Sequence, residues 1–258
     1  MISEPTREQV LEFCSREPVE RVFLEDVARR GLGRFAATQR ADGTLASLCH
    51  LGTNLVPSGE ACGAYRKAAA RSKARMIIGE ANAVGELWAA ASGVLPRARE
   101  DRPGQPVYAI SEPPAPGDSG LRAARHDDLD VLVPASAAAH ALELGIDPLA
   151  RGDDGFRWRT SAQVDEKRSW AWIEDGVVLF KAEASAWTPS AVQLQQVWVD
   201  PAARGKGYAG RALRDLIRLL LEQTPTVTLF VRRENEPAIR LYESVGMRHV
   251  LDYRSVLF

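Results

Sequence analysis

The chain has 258 residues, enough for one large domain or two small ones that each bury a core. Its composition is that of an ordinary globular protein, with 45% hydrophobic residues, 26% charged residues and a formal net charge of -1. The near-zero charge gives no support for nucleic acid or an anionic membrane as a partner. No apolar run approaches the roughly 20 residues that span a bilayer, and the N-terminus lacks the pattern of a signal peptide.

The three cysteines, Cys14, Cys49 and Cys62, lie in the first quarter of the chain and show no metal-ligand spacing. We therefore expect reduced, buried thiols in a cytoplasmic protein. The four histidines are scattered along the chain, which argues against zinc. No metal cofactor is predicted.

The N-terminal part contains a strand that ends at Pro57 and is followed by a loop of small residues. The pattern then predicts a helix over 65–72, a strand over 75–79 and a helix over 82–93. Segment 101–120 is rich in proline and glycine and cannot form a helix, which predicts a linker around one short strand, 107–110. A domain boundary at its end gives two modules, 1–119 and 120–258.

The C-terminal part predicts an α/β fold, in which a mixed sheet carries helices on its faces. Asp175 and Gly176 form an Asp-Gly pair, a strong signal for a hairpin between two strands. Gly145 is typical of a helix end. The predicted helices cover 127–144, 155–163, 211–223 and 237–245, and the predicted strands cover 121–125, 169–173, 177–185, 192–199, 227–231 and 249–258.

The clearest functional motif follows strand 192–199, where Asp-Pro leads into the sequence AARGKGYAGRAL. Arg204, Gly207 and Ala209 satisfy the pattern Arg/Gln-x-x-Gly-x-Gly/Ala directly before a helix. Small residues at a helix N-terminus expose backbone N–H groups and the positive end of the helix dipole, which together favour a pyrophosphate. Lys206 and Arg204 add positive charge. The alternative interpretation is a glycine-rich turn without a ligand.

A second motif follows the next strand, where RRENEPAIRLYESVGM places Asn235, Ala238, Tyr242 and Gly246 in a fixed series. With both motifs at this separation, residues 121–258 resemble the GNAT superfamily of N-acetyltransferases, most closely over 192–247. The resemblance implies transfer of an acetyl group from acetyl-CoA to a primary amine, by direct attack in a ternary complex. The amine could belong to a small molecule or to a protein. The alternative function is a non-catalytic acyl-CoA sensor or scaffold.

The resemblance also implies roles for single positions. Backbone groups of 197–199 would bind the pantetheine arm like an added strand, and Asn235 would contact the cofactor near it. Tyr242 would protonate the departing CoA thiolate, unless it only packs against the sheet. The implied acetyl-CoA contacts are Val197, Trp198, Val199, Arg204, Gly205, Lys206, Gly207, Tyr208, Ala209, Gly210 and Asn235.

The general base is less evident, because the strand before the loop carries glutamines where relatives often have a glutamate. Glutamine takes up no proton at neutral pH. The candidate base is Glu183 on the preceding strand, and the alternatives for this residue are a pair with Lys181, an exposed edge carboxylate or a contact with substrate. Glu143, near the end of the first helix of this half, is another possible base.

The N-terminal half shows the same order of strand, loop, helix, strand and helix, without the loop motif. Pro57 and Asn82 match the proline and asparagine of the C-terminal motifs, whereas Glu60 takes the place of Arg204 and would repel a pyrophosphate. Two interpretations stay open: a degenerate GNAT-like repeat, as in tandem GNAT proteins of bacteria, or an unrelated α/β domain. Both predict no acetyl-CoA in this half. A chain of two modules is expected to act as a monomer or a homodimer.

Overall fold

The structure is a computed structural model that describes residues 2–150, 152 and 154–258. The helices are α1 (Arg7–Ser15), α2 (Val22–Arg29), α3 (Arg66–Ala70), α4 (Ala81–Ala91), α5 (Leu129–Leu144), α6 (Asp154–Asp165), α7 (Tyr208–Leu221) and α8 (Glu236–Ser244). The strands are β1 (Ile2–Ser3), β2 (Phe35–Gln39), β3 (Leu45–Leu51), β4 (Asn54–Gly59), β5 (Met76–Glu80), β6 (Glu100–Ile110), β7 (Arg122–Ala123), β8 (Ser169–Glu174), β9 (Val177–Trp187), β10 (Val192–Val199), β11 (Val227–Phe230) and β12 (Arg248–Leu257).

These strands form one mixed sheet in the order β1-β2-β3-β4-β5-β12-β6-β11-β10-β9-β8-β7. The pairs β4–β5 and β10–β11 are parallel, and each has a helical crossover. The run β1-α1-α2-β2-β3-β4-α3-β5-α4-β6 is repeated element for element by β7-α5-α6-β8-β9-β10-α7-β11-α8-β12. This repetition confirms the interpretation of the first half as a degenerate repeat of the second.

The two halves exchange their last strands. β6 of the N-terminal half lies between β11 and β12, and β12 of the C-terminal half lies between β5 and β6. β6 and β12 pair antiparallel from Arg248↔Ala109 to Leu257↔Glu100. Each half therefore needs a strand from the other to complete its part of the sheet, while the boundary at residue 119 stays a prediction.

The proline-rich segment contains a longer strand than the sequence predicts, because β6 begins at Glu100 rather than at residue 107. Gly104 permits this longer strand. Its φ is 63°, and it lies at a bulge where β6 has one residue more than the facing part of β12. Pro106 lacks an N–H group but still accepts the Val231 N–H at 3.2 Å.

The rest of this segment is held against α7. Asp215 accepts the backbone N–H groups of Gly117 and Ser119 at 2.7 and 2.8 Å, and the Ser119 hydroxyl at 2.5 Å. A Cβ on Gly117 would lie 1.9 Å from the Arg211 carbonyl oxygen, so only glycine fits there. These residues are thus held in place by hydrogen bonds between their backbone groups and the helix, and their role as a linker between two modules stays a prediction.

Helices cover both faces of the C-terminal part of the sheet. On one face, α7 buries Leu213, Leu216, Ile217 and Leu220 against the strands, which confirms the predicted apolar stripe. On the other face, α5 and α6 pack over a second apolar cluster that includes Trp198 of β10. The carboxyl ends of β10 and β11 lie between these two layers.

The predicted elements of the C-terminal half are confirmed, with shifts at their ends. Helix α7 starts at Tyr208 rather than at residue 211, because Gly207 serves as its N-cap. The hairpin between β8 and β9 closes through Asp175 and Gly176, with φ of 48° and 76°. Both positive values suit an Asp-Gly turn. Helix α5 ends at Gly145, whose φ is 68°.

The three cysteines are free and buried, as expected. Burial raises the pKa of the Cys14 and Cys62 thiols to about 12, which makes both thiols unreactive at neutral pH. Every helix in the described ranges falls short of the length and apolar character that a bilayer-crossing segment requires. Within the same ranges no three potential metal ligands gather, and the absence of a metal cofactor stays a prediction.

Candidate functional site

A wedge opens between the parallel strands β10 and β11. The two strands pair only at Val192↔Val227 and Gln193↔Thr228 and then diverge toward their carboxyl ends. At this level a bulge at Gln196, whose φ is 49°, shifts the register of β10 against β9. In the described chain no strand pairs with the wedge-facing edge of 197–199, so its backbone groups are available to an extended ligand.

The loop after β10 places the predicted phosphate-binding motif at the N-terminus of α7. Asp200 closes the first turn of this loop by accepting the Ala202 N–H at 2.8 Å. Gly205 and Gly207 take φ values of 74° and 82°, which glycine adopts without steric cost. No side chain of the described residues caps α7, so the N–H groups of its first turn are left for a ligand at the positive end of the helix dipole.

The space around this loop accommodates a pyrophosphate. A Cβ built on Gly205 or Gly207 would meet no atom within 4 Å. Arg204 and Lys206 are exposed, and Arg204 donates from Nε to the Val199 carbonyl oxygen at 3.3 Å. The glycines, the open helix end and the two cations therefore fit a diphosphate group.

Three other predicted contacts lie in the first turn of α7 and also pack against protein. The Tyr208 ring stands edge-on to Trp172, with ring centroids 5.0 Å apart. Ala209 packs against the apolar cluster under α7, and a Cβ on Gly210 would lie 3.8 Å from Leu241 of α8. These side-chain positions serve helix packing, and the contribution of their backbone amides to the phosphate cradle stays a prediction.

Asn235 is the N-cap of α8, and Tyr242 lies within this helix. The Asn235 side-chain oxygen accepts the Ala238 N–H at 3.3 Å, which leaves the side-chain NH2 group as a donor for a ligand. Tyr242 is 6% exposed, and its ring centroid lies 6.0 Å from that of Tyr108. Burial raises the pKa of the Tyr242 phenol, and the Glu143 carboxylate acts in the same direction. The phenol is therefore protonated at neutral pH, as a general acid must be.

Glu183 lies in a buried polar network between the sheet and α5. Its carboxylate is 2.6 Å from Lys181 Nζ and also accepts from Gln195 Nε2 at 3.4 Å and Ser136 Oγ at 3.5 Å. Lys181 Nζ donates in addition to Gln196 Oε1 at 2.9 Å. Burial lowers the pKa of the Lys181 ammonium group, and the Glu183 carboxylate opposes this shift. The pair with Lys181 is thus present, and the role of Glu183 as a base stays a prediction.

Glu143 lies where the end of α5 reaches across the wedge. This helix packs on β9 and β10, and Arg102 Nη2 of β6 donates to the Glu143 carbonyl oxygen at 3.1 Å. Partial burial raises the pKa of the Glu143 carboxyl, and the positive charges of Arg102, Arg232 and Arg159 oppose that rise. Its side chain stays accessible to solvent. A carboxyl with a raised pKa beside an open wedge is a candidate general base.

The corresponding positions of the N-terminal half differ in the space and the charge around them. β4 and β5 also pair at only two positions, Asn54↔Met76 and Leu55↔Ile77, but a Cβ on Gly79 would lie 3.0 Å from the Pro57 carbonyl oxygen, so little space is left between the strands there. Glu86 of α4 accepts the Cys62 N–H at 2.7 Å, which puts a carboxylate against the loop that follows β4. Glu60 is paired with Arg40 at 2.7 Å. Two carboxylates near this loop disfavour a phosphate group there.

Helix caps correct the alignment between the two halves. Glu80 is the N-cap of α4 and Asn235 is the N-cap of α8, so the predicted match of Asn82 with Asn235 is wrong by two positions. With the caps aligned, Leu87 corresponds to Tyr242. Leu87 is fully buried and carries no phenol, so this half also lacks the candidate acid.

Family comparison agrees with this geometry. Residues 139–247 match the profile of the acetyltransferase (GNAT) family. The C-terminal half is a GNAT domain. Residues 33–132 match a domain of unknown function, DUF4081, which fits a divergent first module. The GNAT domain thus contains both motifs that the sequence singled out.

A mycothiol acetyltransferase of Acidothermus cellulolyticus is 53% identical over 53 residues, which is 20% of this chain and 16% of that protein. Solved structures show the same fold over the whole chain. A GNAT-family acetyltransferase from Colwellia psychrerythraea has a TM-score of 0.60 at 12% identity and covers 100% of this chain and 99% of its own. A tandem GNAT protein from the clavulanic acid biosynthesis pathway has a TM-score of 0.59 at 13% identity, covering 99% and 97%.

Sequence reasoning missed the arginines around the end of α5. Arg102 lies in the proline-rich segment that predicted a linker, and no spacing in that segment indicated its position at the wedge. Arg232 directly follows β11 within RRENEP, so the motif of the GNAT domain could have drawn attention to it. Arg159 lies on α6, where the sequence shows no functional pattern.

Proposed function

We propose that the protein transfers the acetyl group of acetyl-CoA to a primary amine of a small molecule or a protein, by direct attack in a ternary complex. The observation that carries this proposal is the uncapped N-terminus of α7 beside the wedge between β10 and β11. Bound acetyl-CoA would supply the acetyl group as an activated thioester. The loop 204–207 would hold its diphosphate, and 197–199 and Asn235 would hold its pantetheine arm.

The chain's own residues would then provide the proton transfers. An amine acceptor must lose a proton before it attacks, and Glu143 is well placed to take it because its carboxylate forms no ion pair among the described residues. Glu183 is the less favourable base, since Lys181 and Gln195 already occupy its oxygens. Tyr242 would donate a proton to the leaving thiolate, and backbone N–H groups at the bulge of β10 would donate to the thioester carbonyl oxygen.

Calorimetric titration of acetyl-CoA into the wild type and into Gly207→Glu tests the binding site. Gly207→Glu places bulk and negative charge in the cradle, so we expect one equivalent to bind the wild type and none to bind the variant. Gly43→Glu is the matched control, because Gly43 has a φ of 84°, close to the 82° of Gly207, and equally open space around it. Binding of two equivalents of acetyl-CoA would show that the N-terminal half binds the cofactor as well. No binding at all would refute the proposal.

Release of free CoA in the presence of a panel of primary amines tests the reaction. Amine-dependent release that Gly207→Glu abolishes and Gly43→Glu retains supports the transferase. Acetyl-CoA binding without release by any amine would favour the non-catalytic sensor instead.

A further inference from the structure

Three arginines lie near Glu143 at the end of α5: Arg102 of β6, Arg159 of α6 and Arg232 after β11. We propose that Arg159 and Arg232 bind a carboxylate on the acceptor, so that the substrate is an amine that also carries a carboxylate. This inference rests on the proposed function and names the substrate class of the same site.

Arg102 is already held in a two-bond contact with a carboxylate and serves the architecture. Its Nε and Nη2 donate to the two oxygens of Glu100 at 2.7 and 2.5 Å, and its side chain is 10% exposed. Arg232 is only loosely held by the same carboxylate, with 3.9 Å between Nη1 and Glu100 Oε1, and its side chain is 35% exposed. Because Arg102 takes both oxygens of Glu100, Arg232 keeps its donors for a ligand.

Arg159 lies near the same end of α5, on the neighbouring helix α6. Its guanidinium carbon lies 5.8 Å from the centre of the Phe156 ring, and that ring stands edge-on to His140 of α5, with centroids 5.8 Å apart. His140 and Glu143 are one helical turn apart. In the described chain Arg159 forms no ion pair or side-chain hydrogen bond, whereas Arg157 on the same helix pairs with Asp130 at 2.7 Å.

Among the described residues, the charged groups nearest to Glu143 leave one cation without a counter-ion. Arg102, Arg159 and Arg232 contribute three positive charges, and Glu100 and Glu143 contribute two negative ones. The neighbouring Lys181 and Glu183 neutralise each other. Once Glu143 has accepted a proton from the amine, the surplus rises to two. A guanidinium group binds a carboxylate through two parallel hydrogen bonds, so a carboxylate on the acceptor fits this surplus.

Analogues that join CoA to an acceptor test the inference without turnover. CoA is linked through an S–CH2–CO group to the nitrogen of glycine or of 4-aminobutyrate, each as the free carboxylate and as the amide. In calorimetry we expect the carboxylate to bind the wild type about 10- to 100-fold more tightly than its amide for at least one spacing. Arg159→Gln and Arg232→Gln should each reduce this preference at least several-fold, while Arg157→Gln preserves it.

Two results would overturn the inference. One is equal binding of carboxylate and amide by the wild type at both spacings. The other is an Arg159→Gln variant that loses affinity for acetyl-CoA itself as much as for the carboxylate analogue, because the arginine would then serve CoA. Failure of the proposed function is separately visible, since the wild type would bind neither acetyl-CoA nor any analogue, and this would refute both.

Discussion

Lys181 and Glu183 form an ion pair of 2.6 Å in the interior of the GNAT domain, with side-chain exposures of 0% and 4%. They share one face of β9, and Lys181 also donates to the side chain of Gln196, the bulged residue of β10. The desolvation cost of such a pair is offset only by good geometry and further hydrogen bonds. The pair therefore links the position of the bulge, and with it one side of the wedge, to β9.

Removal of one partner should be much worse than removal of both. Lys181→Met leaves the Glu183 carboxylate buried without a counter-charge, so we expect a loss of about 3–5 kcal/mol in the free energy of unfolding. The double variant Lys181→Met/Glu183→Leu should recover most of that loss. Urea denaturation measures both values, and equal losses in the single and double variants would contradict the coupling.

Tyr242→Phe should separate catalysis from binding. The variant keeps the ring in the core but removes the proton donor, so we expect kcat to fall about 10²-fold while the Kd of acetyl-CoA stays unchanged. Tyr108→Phe is the control, because its ring packs beside Tyr242 while its hydroxyl donates to Glu243 at 3.1 Å. A similar loss of kcat in both variants would point to packing rather than acid catalysis.

The pH dependence of kcat/KM should identify the base. A base works only when deprotonated, so kcat/KM falls as the pH drops below the pKa of that carboxyl. Partial burial raises the pKa of Glu143. The fall in kcat/KM on the acid side, called the acid limb here, is therefore expected at a pH above the ordinary pKa range of a glutamate. Glu143→Gln should abolish the limb and lower kcat/KM about 10²-fold.

Glu183→Gln is the matched variant, since it removes the other candidate carboxylate. We expect it to retain the acid limb, although it weakens the contact with Lys181. If Glu183→Gln removes the limb and Glu143→Gln retains it, Glu183 is the base.

Asp215 should control the order of the segment before β7. Burial alone would raise the pKa of Asp215, but hydrogen bonds from Ser119 and Gly117 outweigh it and hold the pKa below its usual value. The bound carboxylate therefore stabilises the fold above the unfolded pKa of about 3.9, and this contribution is lost as the pH falls through the folded pKa.

Asp215→Asn should cost about 1–2 kcal/mol near neutral pH and speed proteolysis within 111–121, and the difference from the wild type should shrink on acidification. Asp130→Asn is the control, because its ion pair with Arg157 is exposed and such pairs contribute at most about 1 kcal/mol. Unchanged proteolysis in Asp215→Asn would show that the segment is held by other contacts.

Much of the GNAT domain was predictable because its signals are local. The phosphate loop, the helix it starts and the hairpin at Asp175 and Gly176 depend on residues a few positions apart, where backbone conformation and hydrophobic periodicity act directly. The strand β10 has the same bounds in the sequence prediction and in the structure. The sequence by itself thus determined the fold of this half and the place of its cofactor motif.

Only the tertiary structure decided what surrounds that motif. The exchange of β6 and β12 depends on hydrogen bonds between strands far apart in the chain. Arg102 likewise donates a hydrogen bond to the Glu143 carbonyl oxygen, 41 positions further along the chain. The contact of Glu86 with the Cys62 N–H and the pairing of Glu183 with Lys181 likewise follow from how helices and strands pack. Such contacts have no local signature, because chain packing sets the distance between these side chains, so the acceptor side of the wedge became visible only in three dimensions.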